Sequence, residues 1–212
     1  MPLLLLTENP LYFLAWISAI LVALTIHEFS HAYIAYKLGD NTPKSMGRLT
    51  LNPLAHIDWF GLLMLILIGF GWGNPVVFNP YNLKYKKWGP ALVAMAGPVS
   101  NLVQIAGFGL ILKLLEIFTR LSISNLLVQF IDLLIIINAV LLIFNLIPIP
   151  PLDGSKLLFA ILDKPKYANF KMKLESRGPM ILIILILADN IFRIGIFSAI
   201  FSGVINLIYR LF

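Results

Sequence analysis

Cysteine is absent from this 212-residue chain, so a disulfide-stapled secreted scaffold is excluded. Charge is scarce too: Asp, Glu, Lys and Arg make up 12% of the residues, against roughly 25% in an ordinary soluble domain. Glycine and proline, 14 and 13 residues, are too few for a collagen-like or disordered chain, and no heptad pattern marks a coiled coil. Long polar stretches are missing. None exceeds about thirty residues, whereas a domain usually needs ~50 or more, so an appended soluble domain is not expected. What is abundant is apolar surface, at 59% of residues and a mean hydropathy of +0.90. That is too much to be covered by the polar residues present. The chain reads as an all-α integral membrane protein in which residues 1–212 form one membrane-embedded domain. Lys and Arg outnumber Asp and Glu by 16 to 10, but the basic residues sit between apolar segments and form no continuous stripe. Nucleic acid is therefore not expected as a partner; the lipid bilayer is.

Four long apolar segments and one short one stand out. The long ones run from about Pro10 to Leu38, Pro90 to Phe118, Asn125 to Ile147 and Pro179 to Leu211. Roughly 20 helical residues cross the ~30 Å hydrocarbon core, so each is long enough. The last is interrupted by Asp189, Asn190 and Arg193 and reads equally as one tilted helix or two short ones. The short segment, Trp59–Phe70, is broken by glycines 69, 71 and 73 and reads as re-entrant or shallow. The expected fold is thus a helical bundle with four or more transmembrane helices, a re-entrant segment, and a small β-hairpin or loop near the active site. Arg48-Leu49-Thr50-Leu51 alternates with strand-like period. The first segment lacks a basic n-region and is too long for a signal-peptide core, so it is expected to be retained. Lys37, Lys44 and Arg48, then Lys84, Lys86 and Lys87, then Lys156, Lys164, Lys166, Lys171, Lys173 and Arg177 all fall on one side if the N-terminus is outside and Trp59–Phe70 does not cross. Lys113 and Arg120 fall on the other side. The positive-inside rule makes the richer side cytoplasmic.

Inside the first apolar segment stands His27-Glu28-Phe29-Ser30-His31. At i and i+4, both imidazoles lie on one helix face, one turn apart, and can reach a single metal ion. Glu28 projects about 100° round the helix, the place of a general base acting on metal-bound water. Three ionisable groups in an apolar helix are costly, which favours function over chance. A catalytic zinc takes three protein ligands and a water. The candidates for the third include His56, Glu116, Asp132, Asp153, Asp163 and Asp189. Asp153 follows a break made by Pro148, Pro150 and Pro151 and precedes Gly154, which suits a ligand lining a cavity. It equally suits an Asp-Gly surface turn, and spacing alone leaves both open.

Four motifs taken together resemble the site-2 protease family of intramembrane zinc metalloproteases. They are His27-Glu-Phe-Ser-His-Ala-Tyr33, Leu51-Asn-Pro-Leu-Ala-His-Ile-Asp58, Ala96-Gly-Pro-Val-Ser-Asn101 and Asn145-Leu-Ile-Pro-Ile-Pro-Pro-Leu-Asp-Gly154, in the family's order over residues 20–160. The resemblance is to a short prokaryotic member without an inserted peptide-binding domain. It implies one Zn2+ per chain held by His27, His31 and Asp153, with Glu28 as catalytic acid and base. It also implies that Asn145 steadies substrate backbone or the oxyanion near the zinc, and that Asn101 lies on a helix packed against the site. Gly97 is expected to allow close helix approach. Asp132 and Asn138 read as interhelical glue, with Asp132 needing a partner. Trp59, Trp72, Trp88 and Tyr81 read as an interfacial aromatic belt.

The expected activity is hydrolysis of peptide bonds in or near transmembrane segments of membrane-protein substrates. The expected location is the prokaryotic plasma membrane, with the site toward the cytoplasm. Such a substrate helix must unwind locally, and a strand edge near Arg48–Leu51 would hold it by β-addition. Two other readings use the same residues: an ion transporter lined by the intramembrane charges, and a membrane zinc-binding protein without protease activity.

Overall fold

The computed structural model describes residues 2–119, 121, 122 and 124–211. A short α1 (Pro2–Glu8) leads into α2 (Pro10–Lys37). Asn9 starts α2: its side chain accepts from the Tyr12 N–H at 3.1 Å, and Pro10 occupies the first turn, where a missing N–H costs nothing. Gly39, at φ 104°, turns the chain out of the helix end. A loop carries α3 (Thr42–Ser45) and α4 (Trp59–Ile68). Then come α5 (Gly89–Phe118), α6 (Leu126–Asn145), capped by the Asn125 side chain on the Leu127 N–H at 2.9 Å, and α7 (Gly154–Ile161). The chain continues through α8 (Ala168–Ile191) and α9 (Ile196–Tyr209).

Helices α2, α5 and α6 pack on one another in pairs and form the centre of the molecule. Their approach rests on small residues. Ala19, Ala23, Ala32 and Ala35 of α2 are fully buried, as are Ala139 of α6 and, nearly so, Ala91 and Ala94 of α5. Small side chains let helix backbones come close where lipid provides no hydrophobic drive between them. Helix α7 packs on α5, and α9 on α6.

These three helices, of 28, 30 and 20 residues, are the ones long and apolar enough to cross a membrane among the described residues. The fourth crossing expected at 179–211 is not found as one helix. Lys171, Lys173, Glu175 and Arg177 fill the first half of α8, leaving 13 apolar-rich residues from Pro179, roughly 20 Å of helix. The helix then ends before Arg193 at φ 51° and Gly195 at φ 76°. The C-terminal segment is two helices.

Helix α4, at 10 residues, is roughly 15 Å long, so it cannot cross either. Gly69, at φ 80°, ends it, and the chain folds back along it. A side chain at Gly61 would run into the Trp72 backbone, so the glycines make the return possible. The expected β-hairpin is not formed among the described residues. There is one antiparallel bridge, Ile57 to Gly73, extended by the Asn74 N–H on His56 O at 2.8 Å. Side chains hold the Arg48–Leu51 stretch instead of a ladder. Arg48 donates to Ala55 O, and His56 Nε2 donates to Thr50 O at 2.9 Å. Arg120, one of the two basic residues expected opposite the others, lies outside the described residues.

Candidate metal centre

His27 and His31 lie on the buried face of α2, where the i, i+4 spacing predicts them. Their Nε2 atoms are 3.0 Å apart. The chain leaves α6 at Leu146, turns through the three prolines, and brings Asp153 to the start of α7. Asp153 occupies the N-cap position but caps nothing. Its carboxylate points away to the histidines, with Oδ2 3.3 Å from each Nε2. The ligand atoms of these three residues all lie within 4.8 Å of one another.

The turn is tight enough to need Gly154. A Cβ there would stand 2.6 Å from the Leu146 carbonyl carbon and 2.8 Å from Ile147 O. The glycine serves by lacking a side chain, not by unusual φ. Gly97 of α5 plays the same part on the other wall. A Cβ there would meet His27 Nε2 at 2.6 Å. Its role is therefore closer to the imidazoles than helix approach alone.

The donor chemistry fits a cation. His31 Nδ1 faces the Val93 carbonyl at 2.8 Å, and a carbonyl only accepts. His31 Nδ1 must then carry the proton, leaving the Nε2 lone pair free. Pro98 lies one turn along α5 and removes the donor that Ala94 O would have had. His27 Nδ1 faces Asn101 Oδ1 at 2.6 Å. Asp153 Oδ2 is buried without a hydrogen-bond donor among the described residues. Two nitrogen lone pairs and an unpartnered carboxylate oxygen, this close together, call for a positive ion between them.

Glu28 is also buried. Its Oε2 accepts from the Val76 main-chain N–H at 3.0 Å, which ties the stretch after Gly73 to the centre. Sequence reading could not find Val76, because the contact is made by backbone. Asn145 is near the end of α6 but turned onto its own helix, with Nδ2 donating to Leu141 O at 3.0 Å. His56 is buried in the loop and held by Thr50 O, not joined to the His27, His31 and Asp153 group. Asp132 does have its partner: Tyr209 OH of α9 donates to it. Glu116, Asp163 and Asp189 are elsewhere. Asp163 pairs with Lys87 at 3.4 Å, and Asp189 accepts from the Ile196 N–H at 2.7 Å.

YwhC of Bacillus subtilis (strain 168), named as a candidate zinc metalloprotease, is 40% identical over 172 residues, covering 78% of this chain and 77% of that protein. The profile of peptidase family M50 matches residues 108–188. The chain belongs to peptidase family M50. This is the site-2 protease family, so the resemblance read from the motifs holds, and membership makes the chain a peptidase. Among other relatives, Rip2 of Mycolicibacterium smegmatis, also named as a candidate zinc metalloprotease, is 30% identical over 188 residues, 85% of this chain and 70% of that protein. The zinc metalloprotease MJ0392 of Methanocaldococcus jannaschii is 26% identical over 164 residues, 77% of this chain but 39% of that protein. No solved structure matches the chain significantly.

Proposed function

We propose that this M50 peptidase is an intramembrane zinc endopeptidase that cuts peptide bonds within or near transmembrane segments of other membrane proteins. The carrying observation is the convergence of His27, His31 and Asp153, beside buried Glu28, within three apolar helices. His27 Nε2, His31 Nε2 and Asp153 Oδ2 hold the ion, a donor set that zinc accepts at catalytic sites. When bound, zinc supplies Lewis acidity for the attacking water and the scissile carbonyl.

The protein's own residues do the rest. Glu28 takes a proton from the attacking water as the new C–O bond forms, and gives it to the amine nitrogen as the C–N bond breaks. The Val76 N–H steadies the Glu28 carboxylate before it takes the proton and again once the proton has been given up. Asn145 lets go of Leu141 O and turns its amide to the substrate oxyanion or backbone. The buried walls made by Gly97, Val93 and Ala94 keep bulk water from the imidazoles. A substrate helix hides its carbonyls in i→i+4 bonds and must open before it can be cut.

Residues 1–212 act as one domain. Crossings by α2, α5 and α6, with the N-terminus outside the plasma membrane, put the twelve loop lysines and arginines on the cytoplasmic side. Glu28 is nine residues before the end of α2 at Lys37, roughly 14 Å of helix below that surface.

The test is metal analysis joined to cleavage of a model transmembrane substrate in lipid vesicles. Glu28→Gln is expected to keep its zinc and lose cleavage by about 100-fold to 10,000-fold. Undiminished cleavage by Glu28→Gln overturns the mechanism. Zinc binding without any cleavage by the wild type points instead to a non-proteolytic zinc protein.

A further inference from the structure

Asn101 of α5 and Asn138 of α6 are both fully buried, and they make an unusual pair. Two facing amides can exchange two hydrogen bonds with each other. These exchange one, Asn101 Nδ2 to Asn138 Oδ1 at 2.8 Å. Their remaining groups point outward along a line. Asn138 Nδ2 donates to Leu134 O at 2.8 Å, and Asn101 Oδ1 meets His27 Nδ1 at 2.6 Å.

The direction of this chain is fixed from its far end. Leu134 O can only accept, so the nitrogen of Asn138 must face it. The oxygen of Asn138 then faces Asn101, which must present its nitrogen there and its oxygen to His27. An amide oxygen cannot donate, so His27 is protonated at Nδ1, and the neutral ring then keeps its lone pair on Nε2. That lone pair is the one 3.3 Å from Asp153 Oδ2 and 3.0 Å from His31 Nε2.

We propose that Asn101 and Asn138 are positioning residues: a one-way hydrogen-bond chain from the α6 backbone, through α5, to α2 that locks His27 in the tautomer able to bind a metal. His31 gets the same lock from Val93 O directly. Among the described residues no backbone carbonyl bonds His27 Nδ1, and two side chains carry the function from α5 and α6. The orientation of an amide held at both ends also fixes the plane of the ring. The zinc-affinity part of this inference rests on the metalloprotease reading; the tautomer part does not.

The chain has three histidines, so 15N-histidine labelling gives a spectrum that can be assigned by single substitutions. In metal-free wild-type protein, His27 and His31 are expected as Nδ1–H forms. His56, which donates from Nε2 to Thr50 O, is expected as the opposite form and serves as an internal standard. In Asn101→Ala, His27 loses its exclusive Nδ1–H form, and zinc affinity measured by chelator competition falls about 10-fold to 100-fold. Asn138→Ala frees Asn101 to turn over and costs about tenfold or less.

A His27 ring that lacks an Nδ1–H in metal-free wild type overturns the proposal. So does Asn101→Ala with unchanged zinc affinity, or Asn101→Ala that leaves His27 exclusively in its Nδ1–H form. The wild-type spectrum decides even if a variant fails to fold. Wild type that shows the expected tautomers yet takes up no zinc leaves the chain of asparagines standing and removes the metalloprotease reading.

Discussion

Asp40 and Asp153 both follow a long helix and both bury a carboxylate, but their surroundings are opposite. Asp40 accepts four hydrogen bonds: from the Thr42 N–H and hydroxyl, the Asn79 N–H and the Asn82 side-chain amide. It knots the end of α2 to the loop before α5. Asp153 has a buried oxygen with no donor at all, only two imidazoles facing it. A carboxylate surrounded by donors is finished; one left short of them has been kept for something else. Here the unfinished one sits against the histidines, and the finished one is purely architectural.

The sharpest way to break this contrast is to remove each acid in turn. Asp153→Ala should lower zinc affinity by more than the roughly 100-fold upper range seen for outer partners of a metal site, while thermal stability of the metal-free protein holds or rises. A large stability loss in metal-free Asp153→Ala would put it in the same class as Asp40. Asp40→Ala should do the reverse. Stranding buried donors should cost about 2–4 kcal/mol in unfolding experiments, with zinc affinity per folded molecule unchanged.

Gly97→Ala probes the wall opposite Asp153. A methyl group pressed against both imidazoles should reduce zinc affinity by about tenfold and leave the Asp40 knot intact. The smallest effect expected is acid sensitivity. Burial raises the Asp40 pKa, but the four hydrogen bonds outweigh it and hold the carboxyl below its ordinary 3.8. Between the two values the unfolded chain binds more protons, so stability present above 3.8 is lost as pH falls through the lowered folded value. Asp40→Asn should flatten that part of a stability-versus-pH curve measured on metal-free protein; an unchanged slope would remove Asp40 as its source.

The same contrast explains what could be read from the sequence. His27, Glu28 and His31 were legible because helical periodicity alone puts them together. The bounds of α2, α5 and α6 were legible because Asn9, Pro10, Pro90 and Asn125 mark helix starts. Asp153 needed more: its spacing fits a surface turn as well as a ligand, and the family motifs broke the tie. Asp40 passed unnoticed, since its four donors come from three separate loop positions and no local pattern announces them. Of the β-hairpin or loop expected near Arg48–Leu51, the loop is what forms, because side-chain bonds to Thr50 O and Ala55 O take carbonyls that a ladder would use. The C-terminal segment, left open between one tilted helix and two short ones at its Asp189, Asn190 and Arg193 interruption, is two, because Arg193 and Gly195 reverse the backbone there.

The contact between Val76 and Glu28 has a bearing on how such proteins vary. The donor is a peptide N–H, so nineteen of the twenty amino acids could stand at position 76 and supply it; proline alone could not. Drift at this site would leave the general base held as before, and a scan by alanine would pass over it in silence. Comparing chains letter by letter would miss the partner of the acid, which is fixed by the path of the loop and not by what hangs from it.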